Sequence, residues 1–240
     1  KYPTLRRLRD RICDYYLESR PDIFIGIDVP DFVMGIELRL HQQQIKTVHY
    51  VAPQIWAWRH SRAKNVAKRL DLLLALFPFE VPFFRQHGVR TEFIGHPVAD
   101  QFPLRRDSGS AREQLDLDPN KSYIALMPGS RRQEWLRHVD LFLRAAKLVS
   151  CERREVSFIA GVINPDVGQY MSRRAAELCP ELPLIIRHGC THEILRASNV
   201  ALVASGTVTI EGLFAKTPMV VAYRMAPITH LLMKRMIKVP

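Results

Sequence analysis

The sequence predicts an α/β fold built around two parallel sheets. Short β-branched or leucine-rich runs alternate with longer charged segments of helical period, which is typical of βα units in parallel sheets. The runs form two series, separated by a polar stretch with turn-forming residues. At 240 residues, 47% of them hydrophobic and 25% charged, the chain is long enough for two Rossmann-sized halves.

Each series supplies the strands of one predicted domain. The first contains four runs: Ile23–Ile27, Thr47–Val51, Leu72–Phe77 and Thr91–Ile94. The second contains five runs: Tyr123–Met127, Val156–Ile159, Leu184–Ile186, Ala201–Val203 and Met219–Ala222. The segment Phe102–Asp118 between them begins with turn-forming residues and predicts a domain boundary there. We therefore divide the chain into residues 1–104, 105–225 and 226–240.

The net charge of +11 predicts an anionic partner, which could be nucleic acid, an acidic membrane surface or a phosphorylated substrate. No apolar run approaches the roughly 20 residues that span a bilayer. No secretory signal is recognisable either, so we expect a cytoplasmic protein. The four cysteines are widely spaced without a metal-ligand pattern, and we expect them to be reduced.

A carboxylate follows the first strand run. The stretch Asp22–Phe32 predicts a buried strand that ends at Asp28, with Pro30 helping to stop it because proline lacks an amide hydrogen. Asp28 could cap the next helix, pair with an arginine, or act as a general base. On this motif alone the alternatives stay open.

A second motif, Gly129, Ser130 and Arg131, follows the strand run Tyr123–Met127. Glycine lets the backbone approach an anion, helix-terminal amides donate to it, and the guanidinium adds a bidentate fork. The motif therefore predicts a phosphate-binding turn.

A third motif lies after the run Ala201–Val203. Ser205, Gly206 and Thr207 form a turn of small residues, and helical spacing places Glu211 beside the first turn of the next helix. Such a turn can contact a diphosphate while the carboxylate accepts ribose hydroxyls. Ser205 or Thr207 could instead be simple N-caps.

Together with further segments, these motifs resemble lipid A disaccharide synthases in order and spacing. The matching segments are Gly26–Phe32, His49–Arg59, Phe77–Glu80, Phe93–Pro97, Pro128–Arg131 with Glu134, Ser205–Thr207 with Glu211, and Pro218–Arg224. The ordered set covers nearly the whole chain. Within it, the Trp-Ala-Trp-Arg segment that ends at Arg59 is the most specific part.

The resemblance implies a GT-B fold, in which two Rossmann-like domains face a cleft. It makes residues 1–104 an incomplete acceptor-side domain, 105–225 the UDP-sugar-binding domain and 226–240 the start of a crossover helix. The implied enzyme is an inverting transferase that passes diacylglucosamine from UDP-2,3-diacylglucosamine to the 6-hydroxyl of 2,3-diacylglucosamine 1-phosphate. Asp28 matches the family's general base, Arg131 matches a catalytic donor-site arginine, and the UDP-sugar is assigned to Gly129, Ser130, Arg131, Ser205, Gly206, Thr207 and Glu211.

The resemblance further implies no cofactor and no metal, because Arg131 and helix-terminal amides would meet the charge on the leaving diphosphate. Acylated substrates imply peripheral attachment to the inner membrane, with basic residues Arg6–Arg11 and the amphipathic stretch Ile228–Val239 as contacts. Family members extend beyond both ends of this sequence, so we expect this chain by itself to be inactive.

Two alternatives remain. The first is another GT-B transferase or an epimerase that acts on UDP-N-acetylglucosamine. The second is a basic nucleic-acid-binding module, although no recognised nucleic-acid motif is present and we expect no nucleic acid partner.

Two histidines and two tryptophans have more than one interpretation. His49 and His96 follow apolar runs; each could be a hydrogen-bonded structural residue or a secondary catalytic candidate. Trp56 and Trp58 could be core anchors or part of an acyl-chain site.

Overall fold

The structure is a computed structural model that describes residues 2–57 and 62–225. These residues form two compact units, 2–96 and 97–225. Trp58, Arg59 and the predicted segments 226–240 and Ile228–Val239 lie outside the described residues.

The first unit contains a four-stranded parallel sheet in the order β1-β2-β3-β4. Its strands are β1 Ile23–Ile27, β2 Lys46–Tyr50, β3 Leu72–Ala75 and β4 Thr91–Phe93. Its helices are α1 Tyr2–Ser19, α2 Pro30–Gln42, α3 Ala63–Val66 and α4 Glu80–Gln86. Leu73 of β3 and Phe84 of α4 are fully buried in its core.

Strand β1 lies at the edge of this sheet, and only one of its faces is covered. Ile23, Ile25 and Ile27 alternate on the other face and are 47%, 54% and 64% exposed. The prediction of a buried strand is therefore wrong for this face, because no helix of the described residues packs on it. The covered face carries Gly26, which packs against α2.

The second unit contains a five-stranded parallel sheet in the order β7-β6-β5-β8-β9. Its strands are β5 Ser122–Met127, β6 Val156–Val162, β7 Leu184–His188, β8 Val200–Ala204 and β9 Met219–Ala222. Its helices are α5 Ser108–Gln114, α6 Arg132–Glu152, α7 Pro165–Leu178, α8 Thr191–Ala197 and α9 Thr207–Phe214.

The order of this sheet creates a switch point between β5 and β8. From β5 the chain adds β6 and β7 on one side, and it then returns to add β8 and β9 on the other. Ligands of open α/β sheets bind beyond the carboxyl ends of the strands at such a point. The turns after β5 and β8 are thus neighbours at this edge.

All nine predicted strand runs are strands, and the α/β architecture with two parallel sheets is confirmed. The limits of the two units differ from the predicted boundary, because residues 97–104 belong to the second unit. Phe102 is buried in the core of that unit, and Val98 packs against the same cluster. These apolar contacts outweigh the turn-rich sequence that suggested a later boundary.

Candidate functional site

In the first unit, a cleft of about 960 Å³ opens at the carboxyl ends of the strands. Asp28 follows β1, Val51 follows β2, and Leu76 follows β3, and all three line the cleft. Parallel strands bring their carboxyl ends to one edge of the sheet, which is where α/β proteins bind ligands. The first unit therefore has a concave site beside the predicted general base.

The backbone around Asp28 has unusual dihedral angles. Asp28, Val29 and Val51 have φ values of +52°, +44° and +80°. For β-branched valine this conformation is a genuine outlier. Hydrogen bonds hold it in place, since the amide of Asp28 donates to the carbonyl of Tyr50 (2.9 Å) and that of Val51 donates to Leu74 (3.1 Å). Strain of this kind is concentrated at functional sites.

The carboxylate of Asp28 is exposed and lines the cleft. Helix α2 has Val29 at its N-cap and no side-chain cap bond, so Asp28 does not cap it. Asp28 also forms no ion pair with any arginine in the described part of the chain. In these residues Asp28 therefore neither caps α2 nor pairs with an arginine, and its side chain is open to the cleft.

The cleft lining also contains Trp56 and Glu80. Burial raises the pKa of the Glu80 carboxyl above its usual value. Hydrogen bonds from the Phe77 backbone, the Trp56 side chain and the Leu76 backbone act in the opposite direction but do not outweigh burial. Trp56 also packs edge-on against Phe79, with the ring centroids 4.8 Å apart. Trp56 is therefore both a core anchor and a wall of the site.

His49 is fully buried and does not reach the cleft. Its Nδ1 lies 2.7 Å from Oε1 of Glu37, which is also 0% exposed. Gly26 of β1 packs directly on this pair, because a Cβ there would lie 2.1 Å from Oε1 of Glu37. This geometry favours the structural interpretation of His49. His96, the other candidate, packs against Phe77 with ring centroids 5.6 Å apart.

In the second unit, the turn after β5 contains Gly129, Ser130 and Arg131. Glu134 accepts hydrogen bonds from the amides of Ser130 (3.1 Å) and Arg131 (3.4 Å). Gly129 has a φ of +107°, and a Cβ there would lie 2.4 Å from Oε2 of Glu134. The sequence predicted that these amides donate to an anion, whereas in the structure they donate to Glu134. The Arg131 guanidinium and the Ser130 hydroxyl of this turn are on exposed residues and remain for a ligand.

The turn after β8 contains Ser205, Gly206 and Thr207, all exposed. Helix α9 begins at Thr207 with no side-chain cap hydrogen bond, so neither Ser205 nor Thr207 acts as an N-cap. Its first amides are therefore available to an anion. Glu211 is half-buried one turn into the helix, 4.0 Å from Nε2 of His192.

Sequence reasoning missed His138, which connects the turn after β5 with the segment that follows β9. Its Nδ1 lies 3.2 Å from the carbonyl of Pro128, and its Nε2 accepts the amide of Arg224 at 2.8 Å. Nδ1 must therefore carry the proton of a neutral ring, and burial lowers the pKa of His138 accordingly. Its position one helical turn after Glu134 was the available signal, because residues i and i+4 share a helix face.

Within 2–57 and 62–225, no group of three or more histidine, cysteine or acidic side chains is placed to hold a metal ion. The four cysteines are free thiols, as predicted.

The sequence comparisons decide the family. A sequence profile described as lipid-A-disaccharide synthetase matches residues 1–240. The chain belongs to this family. It is 43% identical to a lipid-A-disaccharide synthase of Pseudomonas paraeruginosa and 44% identical to one of Azotobacter vinelandii. Each match covers 100% of this chain and 63% of the relative, so the chain spans less than two thirds of the length of these synthases.

Solved structures with the same fold are less similar in sequence. The S. aureus MnaA–UDP structure superimposes with a TM-score of 0.65 at 13% identity, over 99% of this chain and 68% of the other. A UDP-GlcNAc 2-epimerase of Neisseria meningitidis, bound to UDP-GlcNAc, gives a TM-score of 0.63 at 10% identity, over 95% and 67%. These structural similarities confirm the GT-B fold of the chain.

Proposed function

We propose that this chain provides much of an inverting glycosyltransferase that makes the lipid A disaccharide. The donor is UDP-2,3-diacylglucosamine, and the acceptor is the 6-hydroxyl of 2,3-diacylglucosamine 1-phosphate. Family membership over residues 1–240 carries the proposal. The exposed Asp28, held in a strained turn at the edge of a cleft, supports it.

In this reaction Asp28 is the general base. It accepts the proton of the 6-hydroxyl as the hydroxyl oxygen bonds to the anomeric carbon of the donor. The bond from that carbon to the diphosphate breaks on the opposite face, which inverts the centre and releases UDP. Because Asp28 has no acidic or basic partner in the described residues, its carboxylate is available for this transfer.

The second unit is assigned to UDP. The guanidinium of Arg131 and the first amides of α9, after Ser205 and Gly206, would meet the negative charge that develops on the diphosphate. Glu211 would accept hydrogen bonds from the ribose hydroxyls. The hydrogen bonds of Glu134 fix the backbone of the turn from which the Arg131 side chain extends.

We also propose that the protein attaches peripherally to the anionic inner membrane, from which its acylated substrates would come. The net charge of +11 supports this part of the proposal. None of the helices in the described residues is long and apolar enough to cross a bilayer.

The decisive test is a transfer assay with detergent-dispersed donor and acceptor on the intact protein. Asp28→Asn should lower kcat by about two to four orders of magnitude with donor affinity little changed, because a general base acts mainly in the transition state. Asp22→Asn is the matched control, because Asp22 is exposed and lies directly before β1, outside the cleft. This variant should retain activity. Asp28→Asn with most of its kcat intact would contradict the assignment.

A second candidate is an epimerase acting on UDP-N-acetylglucosamine, which the fold likeness to the Neisseria meningitidis epimerase favours. The same assay separates the two functions. An epimerase would convert a UDP-sugar without acyl chains and without an acceptor. A disaccharide synthase would need the acylated acceptor to release UDP.

A further inference from the structure

The cleft beside Asp28 contains two arginines without an acidic partner in the described part of the chain. Arg9 reaches from α1 across α2, and its Nη1 is so close to Gly35 that a Cβ there would lie 2.9 Å away. Arg69 follows α3, and its carbonyl accepts the hydroxyl of Thr47 (3.4 Å). Both arginines are half-buried and line the cleft.

The other arginines that line the cleft have acidic partners of their own. Arg39 pairs with Asp10 and Asp14, at 3.1 and 3.2 Å. Arg62 lies 3.6 Å from Asp31. These pairs occupy Arg39 and Arg62, so Arg9 and Arg69 are the cleft arginines of the described residues that remain for an anionic ligand, in a lining that also contains the carboxylates of Asp28 and Glu80. A half-buried guanidinium without a partner is a ready site for a phosphate, which it can bind through two hydrogen bonds.

Part of the remaining wall is apolar and includes Met34, Leu38, Ile55, Trp56 and Val66, beside the polar Gln54, Asn65 and Glu80. A wall of this kind would take hydrocarbon chains, while the arginines would take an anion. An acylated phosphate monoester supplies both the hydrocarbon chains and the anion. A free phosphate lacks the chains, and a neutral lipid lacks the charge.

We propose that Arg9 and Arg69 bind the 1-phosphate of the acylated acceptor and that the apolar wall holds one of its acyl chains. This inference rests on the proposed function and adds a subsite that selects the phosphorylated acceptor. The 1-phosphate and the 6-hydroxyl lie on opposite sides of the sugar ring. In this arrangement the 1-phosphate would lie at the arginines and the 6-hydroxyl would lie toward Asp28.

Calorimetric titration of the intact protein with a soluble, short-chain diacylglucosamine 1-phosphate tests the subsite. Two comparison ligands isolate its parts: the same compound without the phosphate, and glucosamine 1-phosphate without acyl chains. Inorganic phosphate serves as a third. The full ligand should bind roughly tenfold to a hundredfold more tightly than the dephosphorylated one, as expected for charge-assisted hydrogen bonds to a phosphate.

Arg9→Gln and Arg69→Gln should each abolish most of this preference and leave the affinity for the dephosphorylated ligand unchanged. Arg11→Gln on the same helix and Arg90→Gln, both exposed and outside the cleft, are the matched controls and should keep it. Arg9→Lys and Arg69→Lys preserve the charge and should keep part of the preference. They provide the comparison if a glutamine variant does not fold.

Equal binding of the phosphorylated and dephosphorylated ligands by the parent protein would overturn the subsite. So would a preference that survives in both glutamine variants, or binding of inorganic phosphate as tight as that of the full ligand. UDP titration and the transfer assay report on the proposed function separately. Disaccharide formation without any preference for the 1-phosphate would refute only this inference, whereas its failure with every acceptor would refute the proposed function.

Discussion

The buried pair of Glu37 and His49 gives the sharpest prediction about stability. Both side chains are 0% exposed, and Nδ1 of His49 lies 2.7 Å from Oε1 of Glu37. The remaining atoms of the pair, Oε2 of Glu37 and Nε2 of His49, have no partner in the described residues. Within residues 2–57 and 62–225, each residue therefore depends on the other for its only side-chain hydrogen bond.

Replacing either residue by leucine leaves the other one buried and unpaired. His49→Leu strands a carboxylate and should cost about 3 to 5 kcal/mol. Glu37→Leu strands an imidazole, which can be neutral, and should cost about 1 to 3 kcal/mol. The double variant removes both polar groups, and replacing a buried pair by apolar residues is often nearly neutral. We expect it to lie within about 2 kcal/mol of the parent, well below the sum of the single costs.

Urea denaturation measures these costs, provided that circular dichroism and fluorescence report coincident transitions. Glu92→Leu, in the same unit but half exposed in an ion pair with Arg85, is the matched control and should cost less than about 1 kcal/mol. Single variants no less stable than this control would refute the reasoning. A double variant whose cost equals the sum of the two single costs would do the same.

Three further predictions concern the second unit and the membrane. Arg131→Ala should weaken UDP binding by about 1.5 to 3 kcal/mol in calorimetry, because it removes a charge-assisted contact to the diphosphate; unchanged affinity would place that contact elsewhere. Because burial lowers the pKa of His138, its contribution to stability is present above the unfolded value near 6.5 and is lost as pH falls through the folded pKa. His138→Gln should flatten this part of the pH profile of the urea midpoint, and an unchanged profile would assign it to other groups. Vesicles of anionic lipid should carry the protein upward in flotation at low salt and release part of it at high salt, whereas equal binding to neutral vesicles would exclude an electrostatic contribution.

The strands were predictable because each is a short β-branched or leucine-rich run bounded by charged helical segments. The turns after β5 and β8 were predictable for the same reason, since the motifs follow those runs directly. The hydrogen-bond partners of the amides in the turn after β5 could not be predicted. Whether the amides of Ser130 and Arg131 face an anion or Glu134 depends on the rotamer of one side chain, which no local pattern fixes.

Contacts between residues distant in sequence could not be predicted either. Glu37 and His49 meet because helix α2 crosses β2, and His138 meets Arg224 across 86 residues. Arg9 falls within the basic stretch Arg6–Arg11, which sequence reasoning assigned as a whole to a membrane surface. The structure places Arg9 in the cleft instead, because α1 packs on α2 beside Gly35.

The strained turn at Asp28 depends on contacts that also stabilise the fold. Residues with positive φ that are not glycine cost of order 1 to 3 kcal/mol each when held in such conformations, so the surroundings must determine the turn. On one side the amide of Asp28 is fixed to Tyr50 of β2. On the other, Gly26 pairs in register with His49 and packs on Glu37, so the buried pair fixes the strand that leads into the turn. The carboxylate of Asp28 is therefore positioned by a polar pair that never reaches the cleft. Removing one member of that pair should disturb the site as well as the stability of the first unit.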